Sequence, residues 1–131
     1  DYDCIILAKA GLERLKLLKD LKYKDMKWVT ASGQGTLAIE FINNIKYLNL
    51  ENHQEAIEKV NASIRAQRCV LDAIDANCNS AISIQSNQDD LEISGEIYGK
   101  KKYISILGSN SLEAIESIIK QDGLKLLNEH N

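Results

Sequence analysis

The chain has 131 residues, 44% of them hydrophobic and 27% charged, with a formal net charge of −3 and no proline. That is the profile of a soluble globular protein of one ordinary or two small domains, able to bury roughly two thirds of its unfolded surface, with no apolar run near the roughly 20 residues that cross a bilayer. Three cysteines without a CxxC pair make neither a disulfide framework nor a zinc site, which suits a reducing cytoplasm, and basic residues scattered along the chain argue against a nucleic-acid surface.

Residues 2–8, with the continuous run Cys4-Ile5-Ile6-Leu7-Ala8, read as a strand buried on both faces, and residues 12–18 after Gly11 read as a helix. The partner strands must come from elsewhere. The opening residues lack the basic region of a secretory signal and an initiator methionine, so the expectation is a piece of something longer. A charged connection over 19–27 leads to Trp28-Val29-Thr30, then to Gly33-Gln34-Gly35 and a strand-like run over 36–41. The two glycines suit either a strand entry that needs positive φ or a turn whose N–H groups approach a ligand.

From residue 52 the pattern changes. Asn52 and Glu55 have N-cap and N3 spacing, and Ile57, Val60, Ile64, Leu71 and Ile74 recur at helical intervals over about five turns. Arg68 falls on or beside that stripe, where a guanidinium must take a structural ion pair or face a pocket. Ile82 and Ile84 then alternate with polar residues, a turn follows at 87–90, and Leu91, Ile93, Gly95 and Ile97 share one face. Gly99 and Lys100-Lys101-Lys102 make a solvated hairpin turn, and 103–107 completes a three-stranded antiparallel meander. Asn110 and Glu113 repeat the capping spacing for a helix carrying Leu112, Ile115 and Ile119 and ending near Asp122-Gly123. The fold expected from about residue 50 onward is α+β, with helices on one face of the sheet. Cys78 sits where the long helix ends and the first strand begins, a junction that can present a thiol. A redox-active thiol would want a neighbouring base, and the nearest charged residues are Asp72 and Asp75.

Three segments in order resemble a known family. Tyr2-Asp3-Cys4-Ile5-Ile6-Leu7-Ala8-Lys9-Ala10-Gly11-Leu12-Glu13-Arg14-Leu15 resembles the YDAIVLAxAGLxRL segment of porphobilinogen deaminase, or hydroxymethylbilane synthase. Ala31-Ser32-Gly33-Gln34-Gly35-Thr36-Leu37-Ala38-Ile39-Glu40 resembles its AxGQGALxIE segment. Ala66-Gln67-Arg68 with Ile74, Cys78 and Ile82 resembles AERxxLxxLxGGCxxPI.

The resemblance implies the C-terminal part of a three-domain, monomeric, cytoplasmic enzyme. Residues 1–30 would end its second domain, 31–49 would return to the first, and 50–131 would be the cofactor-anchoring α+β domain. The earlier β/α segments would belong to an incomplete doubly wound, periplasmic-binding-protein-like pair. Cys78 would carry a dipyrromethane cofactor through a thioether, and four porphobilinogen molecules would be polymerised from it into hydroxymethylbilane with release of ammonia. Arg14, Ala8, Gln34 and Gly35 match pocket positions, and Arg68 matches a residue expected to brace the interface between domains. The family's catalytic aspartate and most of its carboxylate-binding arginines have no counterpart here. The expected partners are therefore porphobilinogen, the growing pyrrole chain and an N-terminal portion of the same enzyme, and the chain alone is expected to be inactive. No metal, nucleic acid or membrane partner is expected. The sequence departs from the pattern at Ala76 and Asn77 in place of two glycines, at Ala81 in place of proline, and at Gln67 in place of glutamate. Ala76 in a glycine conformation would cost roughly 1 kcal/mol. The altered loop also fits a different reading, a non-catalytic α+β interaction module derived from the family.

Overall fold

The computed structural model describes residues 2–40 and 50–129. Three antiparallel strands, β1 (Ile82–Ser86), β2 (Ile93–Tyr98) and β3 (Tyr103–Gly108), form one sheet in the order β1-β2-β3, the meander expected from the alternating pattern. Its register aligns Ile82 with Ile97 and Ile104, Ile84 with Gly95 and Ile106, and Ser86 with Ile93 and Gly108. Side chains on alternate residues share a face, so these rows put the isoleucines together on the core side. Leu91, expected on the same face, lies outside the strand in the turn, at φ +58°.

Two helices cross that face, α2 (Gln54–Ala73) and α3 (Ser111–Lys120), followed by the short α4 (Gly123–Leu127); α1 (Lys9–Arg14) lies earlier in the chain. Val70 and Ile74 from the end of α2, Ala114 and Ile118 from α3, and Leu126 and Leu127 from α4 close over Ile84, Ile93, Ile97 and Ile106. Glycine lets the layers approach. A Cβ on Gly108 would stand 2.5 Å from the Ala114 backbone nitrogen, whereas Gly95 makes room within the sheet, where a Cβ would meet the Ser83 carbonyl oxygen of β1 at 2.4 Å.

The start of α3 follows the expected cap, with the Asn110 side chain accepting from the Glu113 N–H at 3.1 Å. The Glu113 carboxylate reaches back to the Ser109 hydroxyl and N–H, and those bonds hold its pKa below the ordinary value of 4.5. Leu112 and Ile119, expected in the core, are 72% and 58% exposed, because the buried stripe of α3 runs instead through Ala114 and Ile118. The α2 cap is also corrected: a 3-10 turn at Glu51–His53 precedes the helix, its N-cap is His53, and no side chain caps it.

Residues 2–8 do not form the expected buried strand. A strand needs a neighbour for its N–H and C=O groups, and the sheet among the described residues does not include them. Ile5, Ile6 and Leu7 are accordingly 70%, 74% and 55% exposed. Helix forms over Lys9–Arg14 rather than through residue 18. Residues 36–40 are likewise irregular and exposed, while residue 41 and the rest of the expected 31–49 return segment lie outside the described residues.

Gly108→Ala is expected to lower stability by about 1–3 kcal/mol in urea unfolding, since α3 must shift to admit the methyl group. Glu113 contributes stability at neutral pH that is lost as pH falls below 4.5 through its lower folded value. The melting temperature should therefore fall less steeply on acidification in Glu113→Gln than in the unaltered chain.

Candidate functional site

Helix α2 ends on a left-handed residue. Asp75 has φ +53°, its N–H donates to the Asp72 carbonyl at 3.2 Å, and the Ala76 N–H donates to the Leu71 carbonyl at 2.9 Å. This is the paired closure that usually carries glycine at the left-handed position. Ala76 and Asn77 are absent from the left-handed region, so the expected strain at Ala76 is corrected: it falls one residue earlier, on Asp75.

The chain then turns tightly around Cys78. The Ser80 N–H donates to the Asn77 carbonyl at 2.9 Å, the Asn77 N–H to the Ser80 hydroxyl at 3.0 Å, and the Asn79 N–H to Asn77 Oδ1 at 2.9 Å. With both ends of the turn tied, Cys78 is held outward, exposed and free. Cys4 and Cys69 are exposed and free as well, but neither sits in such a turn. Beside the turn a cavity of about 310 Å³ opens between Asp75, Asn77 and Ser80 on one side and Leu124, Leu127 and Asn128 on the other.

The Gly33-Gln34-Gly35 turn is built against the C-terminal half of α2, at Gln67. Gly33 and Gly35 have φ +72° and +83°, and the Thr36 N–H donates back to the Gly33 carbonyl at 3.0 Å. Positive φ is thus required at both glycines, and the Gly35 N–H and the Gln34 carboxamide have no partner among the described residues. The turn docks on Gln67, whose Oε1 accepts from the Ser32 hydroxyl at 2.9 Å and the Gly33 N–H at 3.0 Å. Gln67 Nε2 donates to Ser63 Oγ at 3.2 Å, and Ser63 bonds Ser86 on β1. A cavity of about 220 Å³ lies at this junction, lined by Gln34, Thr36, Gln67, Gln85 and other uncharged side chains.

The remaining candidates are not drawn together. Ala8 is the exposed N-cap of α1, and Arg14 is exposed in its last turn with no ion-pair partner among the described residues. Arg68 is corrected: it is exposed and unpaired among the described residues, neither in a structural ion pair nor facing a cavity. The buried stripe of α2 runs through Ser63, Gln67, Val70 and Ile74, leaving Arg68 roughly 100° round the helix from Gln67. The apolar periodicity passes over Ser63, and Gln67 stands out in the sequence only as a departure from the resembling motif; both are polar residues within the buried stripe, at 4% and 5% exposure. Their i, i+4 spacing ahead of Val70 and Ile74 was the available signal. Among the described residues no group of three His, Cys, Asp or Glu side chains could hold a metal ion, and no helix is long and apolar enough to cross a membrane.

A family model described as porphobilinogen deaminase, dipyromethane cofactor binding domain, matches residues 1–49. The chain is 34% identical over 101 residues to the porphobilinogen deaminase of Bacillus subtilis (strain 168), a match covering 72% of this chain and 32% of that protein. It is 29% identical over 144 residues to that of Campylobacter hominis, covering 98% and 43%, and 30% identical over 148 residues to that of Staphylococcus aureus (strain Newman), covering 100% and 48%. The chain thus spans less than half the length of these relatives. No solved structure matches it significantly.

Asp75→Gly is expected to stabilise the fold by about 0.5–1 kcal/mol in denaturant unfolding by relieving the left-handed Asp. Asp75→Val should destabilise it, since a β-branched residue is a poor occupant of positive φ.

Proposed function

The chain belongs to the porphobilinogen deaminase family and corresponds to its C-terminal portion, and on that premise we propose that Cys78 is the point at which a dipyrromethane primer is attached. The observation that carries this reading is the turn around Cys78: a free thiol held outward by three hydrogen bonds at the end of the longest helix. An accessible thiol suits a thioether. The primer would bring the free pyrrole position from which the oligomer is extended, and its acetate and propionate groups call for forked cationic donors. Arg14, exposed and without a carboxylate partner among the described residues, suits that task, since guanidinium binds carboxylates bidentately. The Gly35 N–H and Gln34 carboxamide, both unengaged among the described residues, suit hydrogen bonding to the same groups. Ala8, small and exposed at the start of α1, leaves room beside them.

In this reading the complete protein polymerises four porphobilinogen molecules into hydroxymethylbilane in the cytoplasm. This chain supplies primer attachment and part of the carboxylate binding. The acid–base chemistry lies in the remainder of the enzyme. Arg68, exposed on α2, is available to a neighbouring domain rather than to the pyrroles. The exposed apolar residues of the first 40, among them Ile5, Ile6, Trp28 and Leu37, would be covered by the rest of the same enzyme. That same surface favours a second reading, a non-catalytic module that binds a protein partner through it.

Intact mass separates the two. The complete protein should carry an increment equal to two linked pyrroles that disappears in Cys78→Ser, and an unmodified Cys78 in complete protein supplied with porphobilinogen would reject primer attachment. Arg14→Leu in the complete protein should raise KM for porphobilinogen about ten- to a hundredfold, the equivalent of a lost charge-assisted hydrogen-bond pair. The 131-residue chain alone should form no hydroxymethylbilane from porphobilinogen.

A further inference from the structure

Two of the groups assigned to pyrrole binding in this chain, the Gly33-Gln34-Gly35 turn and Cys78, are 43 residues apart in the case of Gly35, yet both are fastened to α2. The residues that flank the turn, 21–31 and 36–40, have no regular secondary structure, and 36–40 are exposed. Such a segment has no reason of its own to hold one position, because each ordered residue loses about 1–2 kcal/mol of backbone freedom.

What holds it is one carboxamide. Gln67 Oε1 takes both the Ser32 hydroxyl and the Gly33 N–H, and the amide end of the same group donates to Ser63. Ser63 in turn donates to the Ser86 carbonyl at 3.2 Å, and the Ser86 hydroxyl donates to the Ser63 carbonyl at 3.0 Å. The carboxamide therefore has its acceptor end on the turn and its donor end on a seam that continues into β1. It is 5% exposed, so water does not compete for these bonds. A further bond, from Gln85 on β1 to Thr30, ties the approach to the turn to the same strand. From Gln67 the helix runs roughly 9 Å to its last residue, Ala73, before the closure at Asp75 and the Cys78 turn.

We infer that Gln67 is a positioning residue: it clamps the Gln34–Gly35 turn to the helix that ends at Cys78 and so fixes the turn relative to the thiol. That the turn and the thiol serve one pyrrole site rests on the function proposed above. The clamp itself does not.

The test follows amide exchange and distance in the full chain without substrate. In Gln67→Ala the Gly33 amide should exchange about 10- to 100-fold faster, the consequence of losing its acceptor, while amides of β2 stay protected. Spin labels on Cys78 and on a cysteine at position 34, with Cys4 and Cys69 replaced by serine, should give one narrow distance in the parent and a broad distribution in Gln67→Ala. Gln67→Glu keeps the acceptor and should restore the narrow distance. Should Gln67→Ala unfold β2, Ser32→Ala removes one donor without touching the core and should speed Gly33 exchange several-fold. Unchanged exchange at Gly33 in whichever variant stays folded, or a narrow distance in Gln67→Ala, overturns the clamp. In the complete protein, Gln67→Ala should raise KM for porphobilinogen while the adduct on Cys78 is retained. If the clamp is found but the parent carries no adduct, the proposed function falls and the positioning role stands.

Discussion

The isoleucine face of the meander needs a cover, and the rest of the structure depends on how it gets one. A single sheet leaves its apolar face open to water, and Ile84, Ile93, Ile97 and Ile106 are buried here beneath the helices that pack on that face. Gly108 occupies a row where a side chain would hold the layers apart, and the backbone at the start of α3 takes the space beside it. With α3 seated there, the end of α2 is packed through Val70 and Ile74, and the turn bearing Cys78 begins from a fixed support. The exposure of the thiol is thus a consequence of where the core stops.

The seam earlier along α2 is polar instead. Ser63, Gln67 and Ser86 bury hydrogen-bonding groups, which is tolerable only because each finds a partner; no buried side-chain nitrogen or oxygen among the described residues lacks one. Apolar packing would hold the helix on the sheet equally well, but receiving the glycine turn also takes a side-chain acceptor on α2, which Gln67 Oε1 supplies while its amide end is satisfied by Ser63. Burial of Gln67 and order in residues 32–33 therefore go together.

Two helix ends illustrate how local rules and long-range demands part company. Asp75 after α2 and Asp122 after α3 both adopt left-handed conformations, at φ +53° and +56°, where glycine is usual. Gly123 stands directly beside Asp122, but its role is closeness: a Cβ there would lie 2.7 Å from Ile118 Cγ2 and 2.9 Å from Ile104 Cδ1. At that position packing against the core claims the small residue and the turn makes do with aspartate. The Asp122 carboxylate is compensated by Lys125 at 2.8 Å, which lowers its pKa.

The order of residues alone carried the meander, the long α2, the capped start of α3 and the family resemblance, because period-2 isoleucines, helical spacing, the Asn110–Glu113 pair and ordered motifs are all written among near neighbours in the chain. It also marked Cys78 as lying at a helix-to-strand junction. It did not determine that residues 2–8 would stay unpaired, that Arg68 would face solvent, that Asp75 rather than Ala76 would take the strained conformation, or that Gln67 would bind the glycine turn. Those outcomes depend on partners that only folding brings near: Gly33 and Gln67 are separated by 34 residues, and a strand forms only where another strand is present to receive its hydrogen bonds. Tertiary structure decided them because a hydrogen bond or a buried face is a property of two segments, and neither segment carries it alone.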